Sequence, residues 1–140
     1  NFWQSEKITL DSYPRGFHLI TQQVEAALPG IRRVEVGLLH LFLQHTSASL
    51  TINENAEPTV RDDFESHINK MVPENMPYYK HTYEGADDMP AHIKSALTNN
   101  QLTLSIKNGK IILGTWQGLY LFEHRLENHS RIIVHHFIGE

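Results

Sequence analysis

Potential metal ligands are concentrated in the sixteen residues from 79 to 94. The nitrogen and oxygen donors in this segment are His81, Glu84, Asp87, Asp88 and His92. Imidazole and carboxylate groups without sulfur suit Zn²⁺, Mn²⁺ or, with fewer histidines, Mg²⁺. The spacing matches no named zinc motif. The alternative is that Asp88 caps a helix, that Glu84 and Asp87 lie in a solvated loop, and that His92 lies on a helix face.

A second polar segment, HTSAS at 45–49, directly follows a predicted buried strand. Hydroxyl groups donate and accept hydrogen bonds, and a neutral imidazole can bind a metal. An anion or a metal-linked oxygen is therefore a candidate ligand for His45, Thr46, Ser47 and Ser49. The alternative is a polar strand junction, because serine and threonine are common wherever a chain turns.

A third candidate segment is GTWQG at 114–118, which is followed by Glu123 and Arg125. Trp116 offers a ring for stacking, and Gln117 offers an amide for directional hydrogen bonds. A strand bulge with a core tryptophan explains the glycines almost as well. A set of cross-strand ion pairs is the alternative to catalysis for the charged residues here, which are Glu123, His124, Arg125 and Arg131.

Length and composition limit the number of domains, the kinds of partner and the possible metal ligands. With 140 residues and 40% hydrophobic side chains, the chain is expected to form one domain over residues 1–140. A formal charge of −4 gives no electrostatic basis for general nucleic-acid or membrane binding. Because there are no cysteines, any metal must be held by His, Asp, Glu or water. The chain lacks a membrane-spanning apolar run and a secretory signal, so a cytoplasmic location is expected.

Hydrophobic periodicity predicts an α+β domain in which two to three short helices lie to one side of packed antiparallel β-sheets. Apolar residues spaced by four, four and three make residues 58–71 the clearest helix. Residues 33–44 are expected to form a strand buried on both faces, central in its sheet. The other predicted helices are 21–28, capped by Thr21, and 90–97, and the other predicted strands are 2–10, 50–53, 102–106, 111–113, 118–124 and 131–138. Residues 73–89 are expected to form a long loop.

Three separate segments together resemble one known family. They are LQHTSASLTINENAEPTVRDD at 43–63, HTYEGADDMPAHIKSAL at 81–97 and LGTWQGLYLFEHR at 113–125. In this order they resemble the YjbQ family, which is also called the secondary thiamine-phosphate synthase family. The resemblance spans nearly the whole chain and implies a homotrimer of compact α+β subunits.

The resemblance also implies an activity, namely joining thiazole phosphate to hydroxymethylpyrimidine pyrophosphate with release of pyrophosphate. On this hypothesis His45, His81 and His92, with Asp87 or Asp88, hold a divalent ion, Zn²⁺ or Mg²⁺. The phosphate ligands are then Lys94, Arg125, Thr46, Ser47 and Ser49, and the organic pocket is shaped by Trp116, Gln117 and Asn53. Candidate catalytic residues are Glu54, Glu123 and Lys94.

The donor set leaves a second class of function open. Three histidines suit Zn²⁺ better than the Mg²⁺ that pyrophosphate transferases normally use. The alternative is a trimeric, metal-dependent protein that binds a phosphorylated small molecule or hydrolyses an unidentified substrate. In both cases His81 and His92 are expected to face His45 across a pocket near a subunit interface.

Overall fold

Two antiparallel β-sheets and three α-helices form the fold in a computed structural model that describes residues 1–140. The five-stranded sheet has the order β1-β8-β3-β5-β6, and the three-stranded sheet has the order β2-β7-β4. The strands are β1 (Phe2–Tyr13), β2 (Gly16–Leu19), β3 (Val36–Leu43), β4 (Ala48–Glu54), β5 (Gln101–Lys107), β6 (Lys110–Ile111), β7 (Gln117–Glu123) and β8 (His129–Gly139). The helices are α1 (Thr21–Ala26), α2 (Pro58–Met71) and α3 (Asp88–Leu97), with a 3₁₀ turn at Pro29–Arg33. The predicted α+β class is confirmed.

The main core lies between the two sheets. Leu39, Leu41 and Leu43 of β3 are fully buried there together with Leu119 and Leu121 of β7. The alternate residues of β3 lie on the outer face, where Leu38 is half exposed. The strand is central, as predicted, but the prediction that both of its faces are buried is wrong, because the second sheet covers only one side of the first.

Helix α2 begins and ends where the periodicity predicts. None of its residues is fully buried, because it packs on the outside of the smaller sheet, where Phe64 stacks against Phe17 of β2. Helix α3 begins at Asp88, two residues earlier than predicted. The Asp88 side chain does not cap this helix, since its carboxylate contacts histidine and arginine side chains instead.

Smaller differences follow from long-range contacts. Thr21 does not cap α1, because its hydroxyl accepts a hydrogen bond from the N–H of Leu119, 98 positions away. The predicted hairpin turn at Asn108 and Gly109 is confirmed, with both residues at positive φ (51° and 75°). The return strand β6 is shorter than predicted. No helix is long and apolar enough to cross a membrane.

Candidate metal centre

Four side chains converge at the start of α3. They are His81, Glu84, Asp88 and His92, and one potential ligand atom from each lies within 4.8 Å of all the others. The Nε2 atoms of His81 and His92 lie 2.6 and 3.1 Å from the same Oδ2 of Asp88. Glu84 Oε2 lies 3.3 Å from His81 Nε2. Two imidazoles and two carboxylates therefore share one small volume.

Local geometry explains this convergence. Asp88 and His92 are four residues apart on α3, so they share one face of the helix. His81 and Glu84 come from the preceding loop, which reverses direction at Gly85. Gly85 has φ +106°, and a Cβ there would lie 2.9 Å from Asp87 Oδ1, so the turn requires glycine.

The tautomer of His92 favours a cation at this position. Its Nδ1 lies 2.9 Å from the carbonyl oxygen of Thr46, to which only a protonated nitrogen can donate. In a neutral His92, Nε2 then has a lone pair that faces the acceptor Oδ2 of Asp88 at 3.1 Å. Two acceptors in contact need a proton or a metal ion between them. A backbone carbonyl that fixes the remote nitrogen is the usual support of a metal-binding histidine.

Arg125 supports the carboxylates from the other side. Its guanidinium donates to Asp87 Oδ2 at 2.8 Å, to Asp88 Oδ1 at 2.6 Å and to the carbonyl of Glu84 at 2.9 Å. Burial alone would raise the pKa of Asp88, but hydrogen bonds with His81 and Glu84, together with the charges of Arg125 and His92, lower it overall. Asp88, with its side chain 3% exposed, is thus held ionised between a cation on one side and two imidazoles on the other.

Two predicted ligands lie outside this cluster. Asp87 contacts Arg125 and accepts a hydrogen bond from the N–H of Leu126 at 2.9 Å. His45 Nε2 accepts a hydrogen bond from the N–H of Ile132 at 2.8 Å, which occupies the lone pair that a metal would need. The expected pocket between His45 and the other two histidines is therefore not formed within one chain. The Thr46 carbonyl is what links this segment to the cluster.

The predicted phosphate-binding residues of this segment make contacts inside the protein, Ser49 through its hydroxyl and the other two through backbone carbonyls. Ser49 is fully buried and hydrogen-bonds His124 Nε2 at 2.8 Å and the hydroxyl of Thr98. Thr46 contributes its carbonyl to His92, and Ser47 contributes its carbonyl to Arg131. The backbone of this segment thus supports the surrounding structure.

The predicted cations are also held by the protein. Lys94 is 4% exposed, and its Nζ donates to Asn69 Oδ1 at 2.6 Å. Burial lowers the pKa of Lys94, and the nearby charge of Arg15 lowers it further. The Arg125 guanidinium is directed at carboxylates and a carbonyl. Neither of these side chains is therefore available to bind a phosphate at the cluster.

Glu123 forms an ion pair between the two sheets. Both of its carboxylate oxygens accept from Arg131, at 2.7 Å from Nε and 2.5 Å from Nη2, and both side chains are almost completely buried. Glu123 lies on β7 and Arg131 on β8, so the pair joins the three-stranded sheet to the five-stranded sheet. The ion-pair alternative describes these contacts better than a catalytic acid does.

The third predicted segment lies at the opposite end of the smaller sheet. Ala48 pairs with Glu123 near the metal cluster, whereas Glu54 pairs with Gln117 at the far end. Six residues of strand separate these ends by about 20 Å at ~3.3 Å per residue. Trp116 is 64% exposed, so it is not a core tryptophan. The candidates that lie at this far end, away from the cluster, are Asn53, Glu54, Trp116 and Gln117.

Glu84 is one of the potential donors in the 79–94 segment, but it is absent from the set of metal ligands predicted above. The three-residue spacing from His81 and the four-residue spacing from Asp88 to His92 are the signals that could have selected it. The loop residues Tyr79 and Met76 beside His81 were not predicted to take part in the site. Nothing in their spacing distinguishes them from an ordinary loop.

His124 gives the protein a predictable response to acid. Burial, together with the charges of Lys94 and Arg131, lowers the pKa of His124 to about 3. In the unfolded chain an ordinary histidine titrates near 6.5, so the unfolded state binds more protons between these two values. The free energy of unfolding should then fall by roughly 1.4 kcal/mol per pH unit from this residue as the pH drops below about 6. Urea unfolding at several pH values checks this slope.

A matched pair of variants isolates the contribution of His124 to the slope. His124→Gln should make the pH dependence shallower by about one proton, whereas His67→Gln, on the exposed face of α2, should leave it unchanged. An equal slope in the His124 variant and the unaltered protein would show that His124 is already protonated in the folded state.

Comparison with known proteins gives consistent matches over almost the whole chain. A family model described as UPF0047 protein YjbQ-like matches residues 6–140. The UPF0047 protein YjbQ of Salmonella typhimurium is 54% identical over 138 residues, which cover 99% of each chain. A conserved hypothetical protein from Thermus thermophilus is 35% identical with a TM-score of 0.79, over 92% of this chain and 97% of that one. A protein of unknown function from Sulfolobus solfataricus has the same fold, with a TM-score of 0.84 at 22% identity over 99% of both chains.

Proposed function

The chain belongs to the UPF0047 family of YjbQ-like proteins, and we propose that it is a divalent-metal-dependent enzyme acting on a phosphorylated small molecule. The observation that carries this proposal is the convergence of His81, Glu84, Asp88 and His92 within 4.8 Å. The Thr46 carbonyl that orients His92 supports it, because such outer contacts accompany metal-binding histidines.

The donor set favours Zn²⁺ or Mn²⁺ over Mg²⁺. Mg²⁺ prefers oxygen ligands and retains several waters, whereas paired imidazoles suit the borderline-soft ions. When bound, such an ion supplies positive charge that neutralises phosphate oxygens and charge developing on a leaving group. Glu84, whose side chain is half exposed, lies on the solvent side of the cluster, so a ligand would approach from there.

The first reaction to test is formation of thiamine phosphate. In this reaction the thiazole nitrogen forms a bond to the pyrimidine CH₂, the C–O bond to pyrophosphate breaks, and the electron pair leaves with pyrophosphate. The three segments that resemble the secondary thiamine-phosphate synthase family support this choice. Residues at the far end of the smaller sheet, such as Trp116, lie about 20 Å from the metal cluster of the same chain. They could contribute to the site only from a neighbouring subunit.

A direct assay tests the proposal. Protein loaded with Zn²⁺ or Mn²⁺ should convert the two precursors to thiamine phosphate, and His92→Ala should reduce kcat at least 100-fold because it removes a ligand that the Thr46 carbonyl positions. His67→Ala, on exposed α2, should leave turnover unchanged. No product with Zn²⁺, Mn²⁺ or Mg²⁺ supplied in turn would rule out the transferase.

Hydrolysis of a phosphate ester is the second candidate function. One observation favours it, namely that Lys94 and Arg125 are engaged by Asn69 and by carboxylates, so neither of these predicted cations is available to bind a second phosphorylated substrate. Release of phosphate from p-nitrophenyl phosphate without any second precursor would support hydrolysis. Binding without turnover would indicate a metabolite-binding protein.

We also propose that the chain forms a homotrimer through the outer face of the five-stranded sheet. Trp3, Ile138 and Leu38 lie side by side in one row across β1, β8 and β3, and all three are exposed. Exposed apolar patches of this kind mark interaction surfaces. Leu38→Glu should give monomers in analytical ultracentrifugation, while Leu97→Glu, at an exposed position of α3, should not. A wild-type monomer at micromolar concentration would contradict the assignment.

A further inference from the structure

A small cavity opens directly beside the metal cluster. It has a volume of about 120 Å³, and its lining includes Asn75, Met76, Tyr79, His81, Thr82 and Met89. His81 belongs to both features, since its ring lines the cavity and its Nε2 contacts Asp88 at 2.6 Å. A ligand bound through the cluster could therefore extend into this cavity without a break.

We propose that this cavity, here named the Tyr79 pocket, binds the organic part of the substrate, and that this part is uncharged and no larger than about one ring. The inference rests on the proposed metal-dependent function, because the cluster would hold the substrate's anionic group. It adds a recognition site and a size limit that hold for either the transfer or the hydrolysis reaction.

The size limit follows from the volume. A cavity of about 150 Å³ is enough for one benzene ring. At 120 Å³ the Tyr79 pocket is somewhat smaller than this cavity, so it suits one small ring or a short chain of similar bulk and is too small to enclose two fused rings.

The chemical character of the ligand follows from the lining. None of the lining residues is Asp, Glu, Lys or Arg, so the wall offers a charged group nothing to pair with except His81. Met76, Met89 and the Tyr79 ring offer an apolar and polarisable surface. The Tyr79 hydroxyl donates to the carbonyl of Pro73 at 2.9 Å, which holds the ring in place. Asn75 and Thr82 supply the uncharged polar groups.

The position of the pocket relative to the cluster defines the ligand's shape. The anionic group must lie near His81 and Glu84, whose ligand atoms are 3.3 Å apart. The body must lie against His81, towards Met76 and Tyr79, which line the pocket with it. A compact phosphate ester whose single ring lies close to the phosphate, attached directly or through a short linker, fits both requirements.

Binding of three simple phosphates to the Zn²⁺-loaded protein tests the inference. The probes are inorganic phosphate, phenyl phosphate and 1-naphthyl phosphate, each titrated calorimetrically. Phenyl phosphate should bind about tenfold more tightly than inorganic phosphate because its ring is buried, and 1-naphthyl phosphate should gain nothing over inorganic phosphate.

Filling the pocket should remove this preference selectively. Ala86→Phe places a ring at the pocket lining and should reduce phenyl phosphate affinity to that of inorganic phosphate, with Zn²⁺ affinity unchanged. Ala96→Phe, the same substitution on an exposed position of α3, should keep the tenfold preference. Met76→Trp fills the pocket from another part of the chain. It should also remove the preference for phenyl phosphate, and it replaces Ala86→Phe as the test if that variant fails to fold or to bind Zn²⁺.

The outcomes separate the inference from the function on which it rests. Equal affinity for phenyl and inorganic phosphate would show that the Tyr79 pocket does not bind the ring, and it would not affect the proposed metal centre. The same holds if Ala86→Phe and Met76→Trp both keep the preference for phenyl phosphate. Tight binding of 1-naphthyl phosphate would overturn the size limit. Failure of the unaltered protein to bind Zn²⁺ would overturn the metal centre and the pocket together.

Discussion

Replacement of Asp88 by asparagine is expected to weaken Zn²⁺ binding by at least 100-fold. Asp88 Oδ2 is the atom that both histidines contact, at 2.6 and 3.1 Å, so its loss removes the only anionic ligand that is buried in the cluster. Loss of an outer contact alone typically costs 10- to 100-fold in metal affinity, and loss of a direct ligand should cost more. Competition with a chromophoric chelator at pH 7 measures the change.

The Asp88→Asn protein should still fold. Arg125 keeps its ion pair with Asp87 at 2.8 Å and its hydrogen bond to the Glu84 carbonyl, so the guanidinium is not left without partners. Asp63→Asn, on the exposed side of α2, is the matched control and should bind Zn²⁺ like the unaltered protein. Equal Zn²⁺ affinity in the Asp88 variant and the control would place any bound metal somewhere else.

Replacement of Arg131 by leucine is expected to lower the free energy of unfolding by about 3–5 kcal/mol. Its partner Glu123 is completely buried and would remain as an unpaired charge between the sheets. The N–H of Arg125, which donates to Glu123 Oε2 at 3.1 Å, cannot compensate for a lost guanidinium. Urea unfolding monitored by tryptophan fluorescence gives this free energy.

A double variant separates a broken ion pair from a lost packing contact. Replacing Glu123 and Arg131 together by leucine removes both buried charges and should recover most of the lost stability. A cost below about 1 kcal/mol for Arg131→Leu would mean that water reaches the pair. Retained turnover in a folded double variant would confirm a structural role for Glu123, in place of the predicted catalytic one.

Local patterns in the sequence predict the local parts of this structure well. The spacing of Val60, Phe64 and Ile68 predicts α2, the prolines at 58 and 73 predict its ends, and the Asn108-Gly109 pair predicts a hairpin turn. The donors of the metal cluster are also local, since all four lie within twelve residues. Short-range geometry of this kind follows from helix and turn rules alone.

Long-range pairing explains the positions that were not predicted. His45 accepts from the N–H of Ile132, 87 positions away, and no periodicity near His45 encodes that partner. Lys94 is buried because Asn69 on another helix meets it, 25 positions away. Trp116 lies far from the cluster because of the register between β4 and β7. Sequence chemistry identifies candidate side chains, but strand register and helix docking decide which of them meet.

We propose that one divalent ion is held by His81, Glu84, Asp88 and His92. Diffraction data collected on both sides of the zinc absorption edge, from crystals of tag-free protein grown with Zn²⁺, test it most directly. We expect one anomalous peak per chain within bonding distance, about 2.0–2.1 Å, of the Nε2 atoms of both histidines. A peak at His45 or at other histidines, or none at the start of α3, would contradict it.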